Sequence, residues 1–236
     1  WRLLLWTMLG ATVGTPLGLA ILAPIVPGAF VKILFAVIWA SFGVMTFVKV
    51  FEFSKVQGIT PVSAAFDRVW GLTVGLAGGA LIASLTGVGI DMLLYTALVL
   101  VRRSDLKIAI PTSVMIMSYT SLIGLASSVL LERADAQTYA ISQEVYFNWM
   151  AAAPIVALGA PFGAFIVSIV SRVPTLIFVS VLCVGQFVWT CIDLRLGWGT
   201  VLWAVGGVVV ANAAFHGLYV LGKRLSDGAS SAAAAR

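Results

Sequence analysis

A chain of 236 residues with 61% apolar side chains, only 10% charged ones and a mean hydropathy of +1.09 is excluded from the soluble globular class. About a quarter of the residues of a soluble domain are charged, because water must wet its surface. The net charge of +5 does not point to nucleic acid either, since the cations fall in pairs at the ends of apolar segments rather than in a stripe.

In chain order, residues 1–23 and 31–48 are each apolar over about the 20 residues that a helix needs to cross hydrocarbon. The opening Trp1-Arg2, with no initiator methionine and no signal-peptide flank, reads as the start of a piece of a larger protein. Residues 52–68 read as a loop. The apolar stretch 69–101 is too long for one ordinary crossing and too short for two, and Thr86-Gly87-Val88-Gly89-Ile90-Asp91 interrupts it. Spans are then expected at 108–131, 147–171 and 174–193, with a further C-terminal span within 195–224. The tail 225–236 is low in complexity and is left out of the fold. The fold class is an all-α integral membrane protein, a multi-span helical bundle.

The interrupted stretch is either one long crossing or a broken, re-entrant hairpin, and the cations distinguish the two. Cytoplasmic loops carry the excess of Lys and Arg. With the N-terminus inside, a hairpin places Arg2, Lys49, Lys55, Arg68, Arg102, Arg103, Lys107, Arg172, Lys223, Arg224 and Arg236 inside, leaving Lys32, Arg133 and Arg195 outside. A single crossing inverts everything after Val101 and leaves a minority of the cations inside. The hairpin is the expected form. Irregular backbone at membrane depth survives only inside protein or beside water, so its glycine break should face the interior.

The same topology makes an internal match meaningful. Val13-Gly14-Thr15-Pro16-Leu17-Gly18 matches Leu158-Gly159-Ala160-Pro161-Phe162-Gly163, and Pro27 is matched, two places later in register, by Pro174. The first copy runs outward and the second inward, so an inverted-topology repeat is expected, as in many secondary transporters.

The break carries the candidate site. Glycine leaves helical geometry cheaply, and a half-helix resuming near Ile90 would aim its unpaired N–H groups and positive dipole end into the bilayer's middle. Such an end holds anions. The candidate substrate-binding residues are therefore Ser84, Thr86, Gly87 and Gly89, with Thr112 and Ser113 of Ala109-Ile-Pro-Thr-Ser113, whose Pro111 suits a first helical turn. The bland alternatives are close helix packing for the glycines and local bonds to helix carbonyls for the hydroxyls. Asp91 is either a cap for the resumed half-helix or a group that couples transport to a proton or sodium. His216, beside Asn212, is read as structural, and no catalytic, metal-binding or cofactor-binding constellation is present. Cys183 and Cys191, eight apart on one helix, lie about 12 Å from each other, too far for a disulfide.

The stretch Gly75-Leu-Ala-Gly-Gly-Ala-Leu-Ile-Ala-Ser-Leu-Thr-Gly-Val-Gly-Ile-Asp91, continued by Ala109-Ile-Pro-Thr-Ser113 and Gly124, resembles the sulfite exporter TauE/SafE family. The resemblance implies a unit of glycine-rich segment plus spans, repeated twice. Residues 69–194 are then the second repeat and 1–51 the last two spans of a first, whose earlier part would precede Trp1. Ile90 and Asp91 stand where many relatives carry a further glycine. Also implied is a bacterial inner-membrane permease for sulfite, an organosulfonate or another small sulfur-containing anion. Alternating access about a midplane site is the expected mechanism. The partners implied are that anion and the lipid bilayer, and no oligomeric state follows. The rival expectations are a cation-coupled carrier or channel centred on Asp91, and a non-transporting membrane assembly subunit.

Overall fold

The computed structural model describes residues 1–53, 63–87 and 89–234. Val88 of the expected break and 54–62 of the expected loop lie outside the described residues. Among the described residues there are nine helices and no strand: α1 (Arg2–Ile21), α2 (Gly28–Val48), the short α3 (Val50–Phe53), α4 (Ala64–Thr86), α5 (Ile90–Val101), α6 (Leu106–Ala134), α7 (Gln143–Ile169), α8 (Arg172–Asp193) and α9 (Trp198–Ala234). Seven of them, all but α3 and α5, are long and apolar enough to cross a membrane. The protein is a multi-pass membrane protein.

Among the boundaries that differ from the sequence expectation, three change how a segment is read. The helix α4 starts at Ala64, where the Ser63 hydroxyl accepts from the Phe66 amide as an N-cap, so Asp67 and Arg68 lie inside it. In α6, Pro111 falls in the second turn rather than the first, because the helix already begins at Leu106. Helix α9 runs on to Ala234, into the stretch read as a tail, in keeping with the high helix propensity of its alanine run.

Two contacts organise the bundle. The first joins α1 and α4, which run parallel with their backbones touching. Gly10, Gly14 and Gly18 on α1 face Gly71, Gly75 and Gly79 on α4, each set spaced by four so that it lines one helix face. A methyl group on Gly14 would run into the Leu76 carbonyl, and one on Gly75 into the Thr7 carbonyl. In lipid, where apolar burial gives helices little reason to associate, small residues that admit such close approach supply the packing.

The second contact joins α2 and α8, which run antiparallel. Lys32 pairs with Asp193 at 3.7 Å at one end, and Gly43 closes on Cys183 towards the other. Both cysteines are free. Helix α6 runs parallel to α1, as the 2.7 Å bond between the Thr12 and Tyr119 hydroxyls fixes. At the end of α6 the Tyr139 hydroxyl donates to the Ala20 carbonyl at 2.9 Å, tying the α6–α7 loop to the last turn of α1. Helix α9 leans on α2 and on the end of α5, where Gly222 abuts the Leu100 and Val101 backbone.

The innermost element is α5. Every residue from Leu94 to Val101 is buried, as is Ile90, so this helix, too short to cross a membrane, is enclosed by protein. Enclosure is the condition under which an interrupted span is tolerated in lipid.

Candidate functional site

The chain reverses between α4 and α5. Gly87 has φ +74° and Gly89 φ +101°, both in the left-handed region that favours glycine. Gly87 closes the first arm by donating to the Ala83 carbonyl at 2.9 Å. A methyl group on Gly89 would lie 2.7 Å from the Ile82 Cγ2, so that position is held open by both torsion and space. Beyond the turn the chain comes back down α4, with Ile90 and Leu93 against Gly78.

At the base the reversal is locked. Arg102, after α5, donates to Asp67, near the start of α4, at 2.9 Å, and their side chains are only 13% and 6% exposed. The re-entrant hairpin expected from the cation count is therefore the form the chain adopts. Its two ends share a face of the bundle with Arg2 and Lys49, while Lys32, Arg133 and Arg195 lie at the opposite face. Asp67 went unmarked as a site residue in the sequence. Its signal was an aspartate just ahead of an apolar stretch with a partner cation just after it.

The hairpin's tip lies level with the last turn of α1. Ser84 packs at Gly18, one turn short of Gly87. The register sets the break beside the end of α1, a 20-residue helix.

Each candidate hydroxyl donates to a carbonyl of its own helix. Ser84 bonds Ala80 at 2.5 Å, Thr86 bonds Ile82 at 2.9 Å, Thr112 bonds Ile108 at 2.6 Å and Ser113 bonds Ile110 at 2.8 Å. These are the local bonds that serines and threonines make in helices without any ligand. Nor does the fold gather the six residues into one cluster. Ser84, Thr86, Gly87 and Gly89 share the hairpin tip. Ser113 lies six residues before Tyr119, which meets Thr12, so it is level with about Trp6 on α1, roughly 18 Å below Ser84 along the helix axis.

The N-terminus of α5 already holds a carboxylate. Asp91 Oδ1 accepts from the amide of Gly89, the N-cap residue, at 2.9 Å, a bond that reaches back from the first turn to the residue before the helix. A carboxylate in the first turn also complements the positive end of the half-helix dipole. Among the described residues, no group of three or more His, Cys, Asp or Glu could hold a metal ion. His216 stacks on Tyr219 with ring centroids 6.3 Å apart, and Asn212 donates to the Val208 carbonyl.

A bundle of apolar spans around an enclosed, broken hairpin is a form that many membrane transporters share. The chain belongs to the sulfite exporter TauE/SafE family, whose profile matches residues 1–188 and so takes in everything up to α8 but not α9. That family consists of transporters rather than enzymes. No curated protein and no solved structure gives a match.

Proposed function

We propose that this protein exports a small sulfur-containing anion, such as sulfite or an organosulfonate, across a bacterial inner membrane by alternating access, with the hairpin tip as the binding site. The observation that carries the reading is the Gly89–Asp91 bond. The Gly89 amide, at the positive end of a half-helix, holds a carboxylate, which stands in for the anion the site would accept. For a substrate to take that place the Asp91 carboxylate must leave it. Protonation of Asp91 removes its claim on the amides, and this links anion binding to proton uptake.

Ser84 and Thr86 flank the site, and their hydroxyls can turn from the helix carbonyls to a bound oxyanion. Thr112 and Ser113 form a separate polar step nearer the other face. The test is transport in proteoliposomes loaded with sulfite, sulfate or a small sulfonate, across a pH series. Asp91→Asn, which keeps the shape but cannot ionise, should abolish the pH dependence of export. Retention of the wild-type pH profile by Asp91→Asn would refute the coupling role, and indifference to every sulfur anion would refute the substrate class. Alanine at both Thr112 and Ser113 should slow transport without unfolding the protein; unchanged kinetics would remove them from the path.

A further inference from the structure

A buried donor without an acceptor is costly, because folding takes it from water and returns nothing. Among the described residues, two such donors lie on α2, the Trp39 Nε1–H and the Thr46 hydroxyl. Ser41, on the same helix, donates to the Val37 carbonyl at 2.6 Å in the ordinary way. Trp39 and Thr46 are seven residues apart, so two helical turns bring them onto one line of α2, roughly 10 Å from each other along its axis. Phe42 stands between them on that face and meets Tyr95 of α5 edge to face, with ring centroids 5.2 Å apart. The face that carries both donors is therefore turned to the second arm of the hairpin.

Both α2 and α5 run towards the face that holds Lys49 and Arg102. Beyond Phe42 in that direction, Thr46 borders a gap of about 10 Å³ together with Tyr95, Thr96 and Leu100 of α5 and Phe215 of α9. Thr46 and Thr96 are buried, and so small a gap admits nothing larger than a water molecule in this conformation. In the other direction, three residues back along both helices from the Phe42–Tyr95 contact bring Trp39 level with Met92, in the first turn of α5 beside Asp91.

We infer that the anion enters from the Lys49 face and passes between α2 and α5 to the hairpin tip, with the Thr46 hydroxyl and then the Trp39 N–H as its donors. An indole N–H only donates, so the solute it takes is one rich in acceptors, an oxyanion. Neither group is charged, so each can bind such a solute and release it. The gap at Thr46 must widen for passage, as alternation of access requires. This inference rests on the export reading for the nature of the solute, and it adds α2 to a site otherwise built from the hairpin alone.

The test is nuclear magnetic resonance of the full-length protein in lipid nanodiscs, with isotope-labelled tryptophan. Trp39→Phe, which keeps an aromatic ring and loses the N–H, identifies the Trp39 signal. Sulfite, sulfate and methanesulfonate are then titrated in turn. The Trp39 N–H signal should move saturably with at least one of them, while those of the exposed Trp189 and Trp203 stay in place. Thr46→Val should raise the midpoint about tenfold, as loss of a hydrogen bond to a charged group does, and Thr46→Ser should restore it. A Trp39 signal that no anion moves would overturn the inference, as would equal movement of all three signals or an unchanged midpoint in Thr46→Val. If the protein still exports a sulfur anion from proteoliposomes while Trp39 is unmoved, only the path falls; if it is indifferent to those anions as well, the export reading falls with it.

Discussion

Arg102 and Asp67, 35 residues apart, bond at 2.9 Å across the base of the hairpin and turn two apolar arms into one closed unit. Removing Arg102 from so buried a pair takes this counter-charge from the Asp67 carboxylate, and breaking such a pair costs about 3–5 kcal/mol. Asp67→Ala and Arg102→Ala should each lower the thermal unfolding midpoint of the purified protein markedly. The double substitution Asp67→Leu with Arg102→Met should recover much of the loss, since no lone charge remains. A double variant as unstable as the singles together would show that the pair acts through something other than charge compensation.

The α1–α4 seam predicts a sharp contrast among glycines. Gly14→Ala and Gly75→Ala push a methyl group into backbone carbonyls of the opposite helix, and overpacking of this kind costs about 1–3 kcal/mol. Gly28→Ala meets open space at the start of α2 and should be neutral or slightly stabilising. Thermal unfolding in one detergent compares the three directly.

The turn glycines should also differ from each other. Both need a left-handed backbone, which costs a side-chain-bearing residue about 1 kcal/mol or more. Gly87 has open space around the position of a methyl group, whereas Gly89 has Ile82 there. Gly89→Ala should therefore lose more stability than Gly87→Ala, and Ile82→Ala should partly rescue the former. Equal losses would mean that torsion alone decides the position.

Acid should loosen the contact between α3 and α9. The Lys49 ammonium, at 2.7 Å, and then the Tyr219 hydroxyl hold the Glu52 carboxyl below its ordinary range. With the folded value lowered, the stabilisation is complete above the unfolded glutamate value of about 4.3 and fades as pH falls through the folded one. Glu52 is nearly half exposed, so the effect is small and weakened further by salt. The difference in melting temperature between wild type and Glu52→Gln should stay constant from neutral pH down to about 5 and shrink below about 4.

Much of this architecture was legible because lipid is a demanding solvent. Apolar runs give the spans by length alone, and the distribution of Lys and Arg was enough to choose a hairpin over a crossing before any contact was known. The seam of Gly10, Gly14 and Gly18 against Gly71, Gly75 and Gly79 was present as a spacing of four on two helices. Spacing shows a face, though, and not its partner, which depends on how distant spans meet. The site was less legible for the same reason. Thr112 and Ser113 look close to Gly89 in a string that runs from hairpin to next span, but α5 returns the chain to the base first. They therefore begin again at the bottom of the bundle. Asp91 stood between cap and coupling group, and only coordinates could show its oxygen on the Gly89 amide.

Each arm of the hairpin contains one wide, π-helical turn, Gly79–Ala83 in α4 and Ala97–Val101 in α5, where Ser84 and Arg102 donate back five residues rather than four. A wide turn stores one residue beyond what an α-turn needs. Expelling it twists everything beyond by about 100° and breaks no helix. The first wide turn begins at Gly79, the last glycine of the seam, and the second lies just before the Arg102 anchor. The stretch from Ser84 to Thr96, tip included, is thus bounded on each side by a wide turn, a stored residue of slack set into an otherwise tightly enclosed hairpin.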